Sequence, residues 1–575
     1  MTISHFTRHI SIELSAVLIL WLLYLLIAWQ LDDFRFLDKD GVLRSVPILV
    51  GLFAALTAYS LARIFLTRWF SAATVFLATF LLSYVNHIKH GLTAQPLTWS
   101  EVTAFNNHSV IISYTETTQI VITLAIIIVL FWAMYKFRPW HRPNPWAIGA
   151  FVFLLPITFH PYKINFSTSF AHNLEHWVND QGLQYVNWDF EENVRRNGLL
   201  MHLVHTSVRS LPSRPSDTEA DLFHEFSLKT FPLDGKRPQT IVWILCEACW
   251  HDENLFEEEF AAFGPLGFRH FELISPVYGG STVNASFELL TGLPSSGVLD
   301  GVIYQEYEPH LRQDINSYVQ SLRATAYTTV AMHNHRADFW NRSLVKPKMG
   351  FDYFFGLEEM PQGESFGGWS RDYVLYDSAL DWLSNTDHEY RFMFLVGVFP
   401  HGGYVQRHDY GASSYLDKLR LALQDLAVFL ESLLEDDPDA LVFFVGDHKP
   451  SLTRFFHVNG VFGDDLFIKT GDRDWHYRFA PDANQTTIGR VPAYVYHQNE
   501  ARVQSFVENA DSLPFYCFPV VFNKFFTGVS NGVLGYSASN NRCNQDNNSE
   551  GEDLYGGLRY PEFLYSLTLF DDSFQ

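Results

Sequence analysis

Along the first third of the chain the apolar positions form unbroken runs instead of alternating with polar ones. SIELSAVLILWLLYLLIAWQL (11–31), SVPILVGLFAALTAYSLARIFL (45–66), WFSAATVFLATFLLSYV (69–85), TQIVITLAIIIVLFWAMY (118–135) and WAIGAFVFLLPITF (146–159) each read as an apolar helix. A run of roughly 20 residues crosses a ~30 Å hydrocarbon core, so five membrane helices are expected over 1–160. The fifth run is the shortest and carries Pro156. A cleaved signal peptide would explain only the first run, which lacks a small-residue cleavage site and is followed by four more. Trp29, Trp69, Trp132 and Trp146 stand near run ends, where indole rings favour the membrane interface. Arg8, Arg63, Arg68, Lys136, Arg138 and Arg142 fall on one side of these spans; Arg35, Lys39, Arg44 and Lys89 fall on the other, in more acidic loops. The bias places the N-terminus inside. An odd number of spans then puts everything after residue 160 outside the cytoplasm.

The pattern changes beyond that point. Residues 161–237 are mixed and aromatic and include the hinge-like LPSRPSD, which reads as a connector. From 238 to 525, short apolar runs alternate with amphipathic segments: TIVWILCE (240–247), AYTTVAMH (326–333), RFMFLVGVFPH (391–401), ALVFFVGDH (440–448) and VPAYVYH (491–497). SYLDKLRLALQDLAVFLESLLEDD has leucines at helical spacing. Continuous apolar strands interleaved with helices predict a mostly parallel sheet covered on both faces, an α/β domain. The remaining residues, 526–575, are polar, Asn-rich and acidic, and predict a mobile tail.

Charge narrows the partners. With 63 acidic against 40 basic residues the net charge is -23, and a nucleic acid needs a basic face, so none is expected. Four cysteines are too few for a disulfide scaffold but allow one or two bridges in an oxidising compartment. Cys246–Cys249 and Cys517–Cys543 are both conceivable.

The candidate chemistry lies where strands end. Ligand groups of an open parallel sheet gather beyond the carboxyl ends of its strands, and three runs end on metal-type residues: Glu247, His401, and Asp447 with His448. A lone polar residue at a strand end is commonplace; an Asp-His pair directly after VFFVG, with Glu247 in the equivalent place, suits a divalent ion such as Mn²⁺ or Zn²⁺. A Gly-Gly pair precedes Ser281-Thr282 and a helical run. There a hydroxyl gains help from the helix dipole and from a metal, which makes Thr282 a candidate nucleophile. Capping a helix is the ordinary alternative for such a residue. Cys246 should face away from Glu247 in an extended strand, and a cysteine–metal contact there stays open.

ILCEACW, GGSTVNASFELLTG, MHNHRADFWNRS, FPH and VGDHKP, in this order after five apolar runs, resemble the lipoteichoic acid synthase family of the alkaline phosphatase and sulfatase superfamily. HGLTAQPLTWSEVTAF (90–105) resembles an outer loop of that family. The resemblance implies one bound Mn²⁺, with Mg²⁺ or Zn²⁺ as alternatives, held by Glu247, Thr282, Asp447 and His448. It implies substrate contacts at His333, Trp340, Arg342 and His401, with Thr282 as the catalytic nucleophile. The implied reaction takes glycerol phosphate from phosphatidylglycerol in the membrane and moves it to an envelope glycan or polymer. The implied place is the bacterial cytoplasmic membrane, with the catalytic domain extracytoplasmic. Phosphoethanolamine transfer from phosphatidylethanolamine, phosphodiester hydrolysis, and a non-catalytic glycan- or lipid-binding membrane protein are the alternatives. Ser286 stands where the family usually has an acid, and a Gly follows His401 where a Pro is frequent. The sulfatase motif C-x-P-S-R is absent.

Overall fold

The computed structural model describes residues 3–37, 43–93, 96–99, 102, 136, 140, 142–159, 190–207 and 212–570, the last stretch without 300, 338, 406–407, 470–476, 481–482 and 544–559. The chain divides into two compact units, Met1–Arg209 and Ser210–Gln575.

In the first unit the apolar runs form the helices Ile3–Leu31, Ser45–Arg63, Arg68–Thr93 and Pro145–Phe159. Ala16, Val17 and Leu20 of the first pack against Tyr59 and Val75 of the next two. Among the described residues, one helix segment, Arg68–His90, is long and apolar enough to cross a membrane; Ser15–Leu31, Pro47–Arg63 and Pro145–Leu155 are shorter apolar stretches. The run at 118–135 lies outside the described residues, as do residues 94–95, 100–101 and 103–105 of the loop at 90–105. The connector expected over 161–237 is divided between the units. Its helices Phe190–Asn197 and Leu199–Ser207 pack through Val194, Leu199 and Leu203 on Leu97 of the first unit, whereas Phe223 of helix Asp217–Ser227 joins the core of the second. Residues 161–189 are outside the described set.

Among its described residues the second unit has twelve strands: β1 (Thr240–Cys246), β2 (Arg269–Ile274), β3 (Thr328–His333), β4 (Tyr353–Phe355), β5 (Ser365–Phe366), β6 (Trp369–Ser370), β7 (Arg391–Val396), β8 (Leu441–Gly446), β9 (Phe467–Lys469), β10 (Tyr477–Phe479), β11 (Arg490–Tyr496) and β12 (Leu513–Pro514). Eight of them form one sheet in the order β12-β2-β11-β8-β1-β7-β3-β4, while β5-β6 and β9-β10 are separate pairs. β1 runs parallel to β7 and β8, and β3 parallel to β7 and β4; β11 is antiparallel to β2 and β8. The sheet is therefore mixed and mostly parallel, the α/β class read from the strand pattern.

Strand geometry sends successive side chains to opposite faces, and both faces are covered. Ile241, Trp243 and Leu245 enter one core with Phe443 and Val445 and with the helices Thr282–Thr291, Tyr318–Arg323 and Phe518–Phe522. Val242, Ile244 and Cys246 enter the other with Val442 and Phe444 and the helices Tyr373–Asn385 and Ala412–Asp436. Such burial explains why these strands read as continuous apolar runs. Trp243 is the hub of its face: it stacks on Tyr318 and meets Phe392, Phe518 and Phe522 edge-on, with centroids 5.0–5.4 Å apart.

The expectation of a mobile tail from 526 is corrected over its described residues. Helices Gly532–Ser539 and Glu562–Leu569 bury Val533, Leu534, Phe563, Leu564 and Leu569 in the first core, and Cys543 is bridged to Cys517. The Asn-rich stretch between them masks the helical spacing of these apolar positions, and 544–559 lie outside the described residues. Trp243→Ala is expected to destabilise the second unit by about 3–5 kcal/mol, measured as a fall in the thermal unfolding midpoint.

Candidate metal centre and anion pocket

β1 and β8 lie side by side in parallel, with Cys246 opposite Gly446, so the residues following each strand emerge together. Glu247 follows β1 within a tight turn. Ala248 takes a left-handed φ of 51°, the Cys249 amide donates to the Cys246 carbonyl at 3.5 Å, and a Cys246–Cys249 disulfide closes the turn. Bridged and turned into the second core, Cys246 is a structural residue and not the metal contact that the sequence left open. Gly446 leaves room for this turn, since a Cβ there would come within 1.9 Å of the Cys249 carbonyl oxygen.

Two hydrogen bonds tie the second carboxylate to the same turn. The Asp447 amide donates to the Cys246 carbonyl at 3.0 Å, and the Ala248 amide donates to Asp447 Oδ1 at 2.7 Å. His448 Nδ1 faces its neighbour's carbonyl, Lys449 O, at 2.9 Å. That bond makes Nδ1 the N–H and leaves the lone pair on Nε2, which lies 3.3 Å from Asp447 Oδ2 and 3.5 Å from Glu247 Oε1.

Thr282 begins helix Thr282–Thr291, preceded by Gly279, Gly280 and Ser281, all at positive φ. The left-handed backbone swings the chain into the helix at the ligand cluster, and the Thr282 hydroxyl donates to Glu247 Oε2 at 3.1 Å. Ser281, not Thr282, holds the N-cap position, so capping does not explain this threonine.

Ligand atoms of Glu247, Asp447 and His448 all lie within 4.8 Å of one another, and the three side chains are buried. Burial, then the charge of Asp447, pushes the Glu247 carboxyl well above its ordinary range, and burial raises Asp447 as well. Asp447 Oδ2 and His448 Nε2 have no hydrogen-bond partner. Unpaired buried acceptors beside two repelling carboxylates are costly in a folded protein. A divalent cation relieves both problems, and an oxygen-rich set with one imidazole fits Mn²⁺, Mg²⁺ or Zn²⁺.

The residues matched to substrate contacts border this cluster. Arg342 is buried on helix Arg342–Lys348, donates to the Phe339 carbonyl at 3.3 Å, and lies over the Trp340 ring at 5.1 Å. Among the described residues it forms no ion pair. Burial draws the guanidinium down to about 10, against the opposing pull of Tyr304, Glu247 and Asp447. Trp340 and Asn341 both sit at φ 54°, an uncommon left-handed pair that turns the chain so that Trp340 lies beneath Arg342. His333, the last residue of β3, shares a 2.7 Å hydrogen bond with Val396 O, and burial followed by Arg342 lowers its imidazole well below the usual range. His401 is drawn down to about 4 by burial and by His448. The sequence-read residues therefore assemble as one metal-type cluster with Arg342, Trp340, His333 and His401 beside it.

Two neighbours escaped the sequence reading. Trp369, in the small β5-β6 hairpin, stacks on His401 at 3.9 Å and lies 5.4 Å from His335. Asp372 accepts from Asn334 Nδ2 at 2.8 Å and from the amides of Val398 and Phe399 at 3.0 and 3.2 Å, fixing the segments that carry His333 and His401. Neither has a local motif; each acts through pairing distant in sequence.

Residues 239–514 match the family model described as Sulfatase. A Rhizobium meliloti (strain 1021) protein named "Putative cyclic beta-1,2-glucan modification protein" is 24% identical over 374 residues, 59% of this chain and 57% of that protein. The chain thus spans somewhat over half the length of the curated relative it matches. Among solved structures, it is similar to the Streptococcus pyogenes phosphoglycerol transferase GacH, seen in complex with sn-glycerol-1-phosphate, at 15% identity over 63% of this chain and 96% of that one, with a TM-score of 0.43. The Listeria monocytogenes lipoteichoic acid synthase LtaP shows 17% identity over 55% and 81%, with a TM-score of 0.40. The Neisseria meningitidis lipooligosaccharide phosphoethanolamine transferase EptA shows 10% identity over 89% and 94%, with a TM-score of 0.44.

The purified protein is expected to carry one divalent ion per chain, lost in His448→Ala when metal content is measured by elemental analysis. Cys246→Ser with Cys249→Ser, which frees the turn bearing Glu247, is expected to weaken metal affinity about 10–100-fold, read by metal titration of the apo-protein.

Proposed function

We propose that the protein is a membrane-anchored, metal-dependent phosphotransferase that moves the glycerol phosphate headgroup of phosphatidylglycerol to an envelope glycan or polymer. The observation that carries this reading is the Thr282 hydroxyl, placed at a helix start 3.1 Å from Glu247 within the cluster of Asp447 and His448. A binding module has no need of a hydroxyl among metal-type ligands. The glucan named for the Rhizobium relative supports a glycan as acceptor.

When bound by Glu247, Thr282, Asp447 and His448, the metal supplies positive charge that acidifies the threonine hydroxyl and polarises the phosphoryl group. In the first step the Thr282 hydroxyl gives up its proton as Oγ1 attacks phosphorus; the bond to the diacylglycerol oxygen breaks, and that alkoxide takes up one proton in exchange and leaves as diacylglycerol. Threonine then bears glycerol phosphate as a diester. In the second step the acceptor hydroxyl attacks the same phosphorus, loses its proton, and expels Thr282. Arg342 neutralises phosphoryl oxygens, a positioning and electrostatic role. His333 and His401 are both held neutral by burial. The hydrogen bond from His333 Nδ1 to Val396 O leaves Nε2 as the nitrogen able to take a proton.

Anchoring suits a lipid donor, since a catalytic domain tethered to the leaflet searches in two dimensions. The reading includes five membrane helices, an internal N-terminus and an extracytoplasmic second unit in the bacterial cytoplasmic membrane. Reporter fusions are expected to read cytoplasmic after residue 142 and extracytoplasmic after residue 215; the same compartment at both sites would refute that topology.

The protein is to be incubated with labelled phosphatidylglycerol or phosphatidylethanolamine, and the peptide containing Thr282 weighed by mass spectrometry. A glycerol phosphate adduct on Thr282 is expected, together with loss of turnover on the order of 10⁴-fold or more in Thr282→Ala. A phosphoethanolamine adduct would redirect the donor assignment. Product formation indifferent to added acceptor would indicate hydrolysis, and wild-type turnover in Thr282→Ala would sink the enzyme reading.

A further inference from the structure

Lys346 is fully buried, at 1% exposure, one helical turn beyond Arg342 on helix Arg342–Lys348. Its Nζ has no hydrogen-bond partner and no ion pair among the described residues. Three rings enclose the amine: Phe394 at 4.5 Å, Phe351 at 5.3 Å and Tyr304 at 5.6 Å from Nζ to centroid.

Two other buried lysines show how unusual this is. Lys348, two residues on, pairs with Glu308 Oε1 at 2.8 Å and donates to the Glu308 carbonyl. Lys449 donates to the carbonyls of Thr487, Ile488 and Arg490. Both satisfy the rule that a buried cation is paired or hydrogen-bonded. At Lys346 the aromatic faces supply attraction but no counter-charge. Burial, then the like charge of Arg342, draws the Lys346 amine well below its ordinary range, and after burial Arg342 and Lys346 both weigh on His333. Helix Arg342–Lys348 thus carries two buried basic side chains one turn apart, neither with an ion pair among the described residues.

We propose that Lys346 is a positioning residue for anion capture: an aromatic-caged amine one helical turn from Arg342, whose ammonium form takes the phosphoryl group of the substrate as its counter-charge. It acts through the potential of the pocket and not by contact, because the rings close around its amine. The inference rests on the phosphotransfer reading of the site and deepens it, since the pocket then selects tetrahedral anions over neutral polyols before any bond is made. A low-dielectric surround lets such a charge act over several ångströms.

The test uses the metal-loaded full-length protein in detergent, titrated calorimetrically with inorganic phosphate and with glycerol phosphate. In Lys346→Met, whose side chain fills the same aromatic cage, affinity for both anions is expected to fall about tenfold. Its melting temperature should be no lower than that of the native protein, with metal content unchanged. Lys346→Arg, which keeps the charge, is expected to stay within about threefold of native affinity. Lys346→Gln gives the same charge removal should the methionine variant fail to fold. A charge-removing variant that binds phosphate as tightly as the native protein overturns the proposal, as does a loss confined to melting temperature. Native protein that binds neither anion overturns the phosphotransfer reading itself, a distinct result that takes this inference with it.

Discussion

Two carboxylates buried side by side set the terms for the second unit. Glu247 and Asp447 repel each other out of water, and neither would stay there unless its backbone were held. The constraint is met by adjacent parallel strands whose register ends at Cys246 opposite Gly446. Within one turn of that point the Asp447 amide, the Ala248 amide and the Cys246 carbonyl are all committed to each other. Every other element serves this junction: the sheet brings the strand ends together, and the Gly-Gly-Ser entry aims Thr282 at it.

Rigidity behind the junction comes from aromatic packing more than from ion pairs. Trp243 interlocks β1 with β7 and with the helices of one face, four residues before Glu247. Beyond the junction the same aromatic economy governs the basic side chains, because Arg342 and Lys346 rest on rings and not on carboxylates.

Much of this was legible in the sequence, and the reason is physical. Strands covered on both faces are continuously apolar, so β1, β3, β7, β8 and β11 announced themselves, and the polar residues that end the β1 and β8 runs marked the cluster of Glu247, Asp447 and His448. Thr282 was legible through its glycines. What escaped has no local signature. Asp372 matters because it spans segments far apart in the chain, and Trp369 because a hairpin carries it onto His401. The Cys246–Cys249 bridge was one of two conceivable pairings, and both are made. The last helices were hidden because an Asn-rich stretch between them dominates the composition. The apolar runs of the first unit were plain as runs, yet only Arg68–His90 among the described residues meets the length of a membrane span.

Gly446 has a use outside this molecule. With a Cβ placed 1.9 Å from the Cys249 carbonyl, the position admits no side chain while the bridged turn keeps its shape. Sequences that pair C-x-x-C around the strand-end acid with glycine before the Asp-His can therefore be sorted from those that lack either. The glycine and the two cysteines form a three-letter fingerprint, by which chains sharing this way of presenting the acid can be recognised before any of them is made.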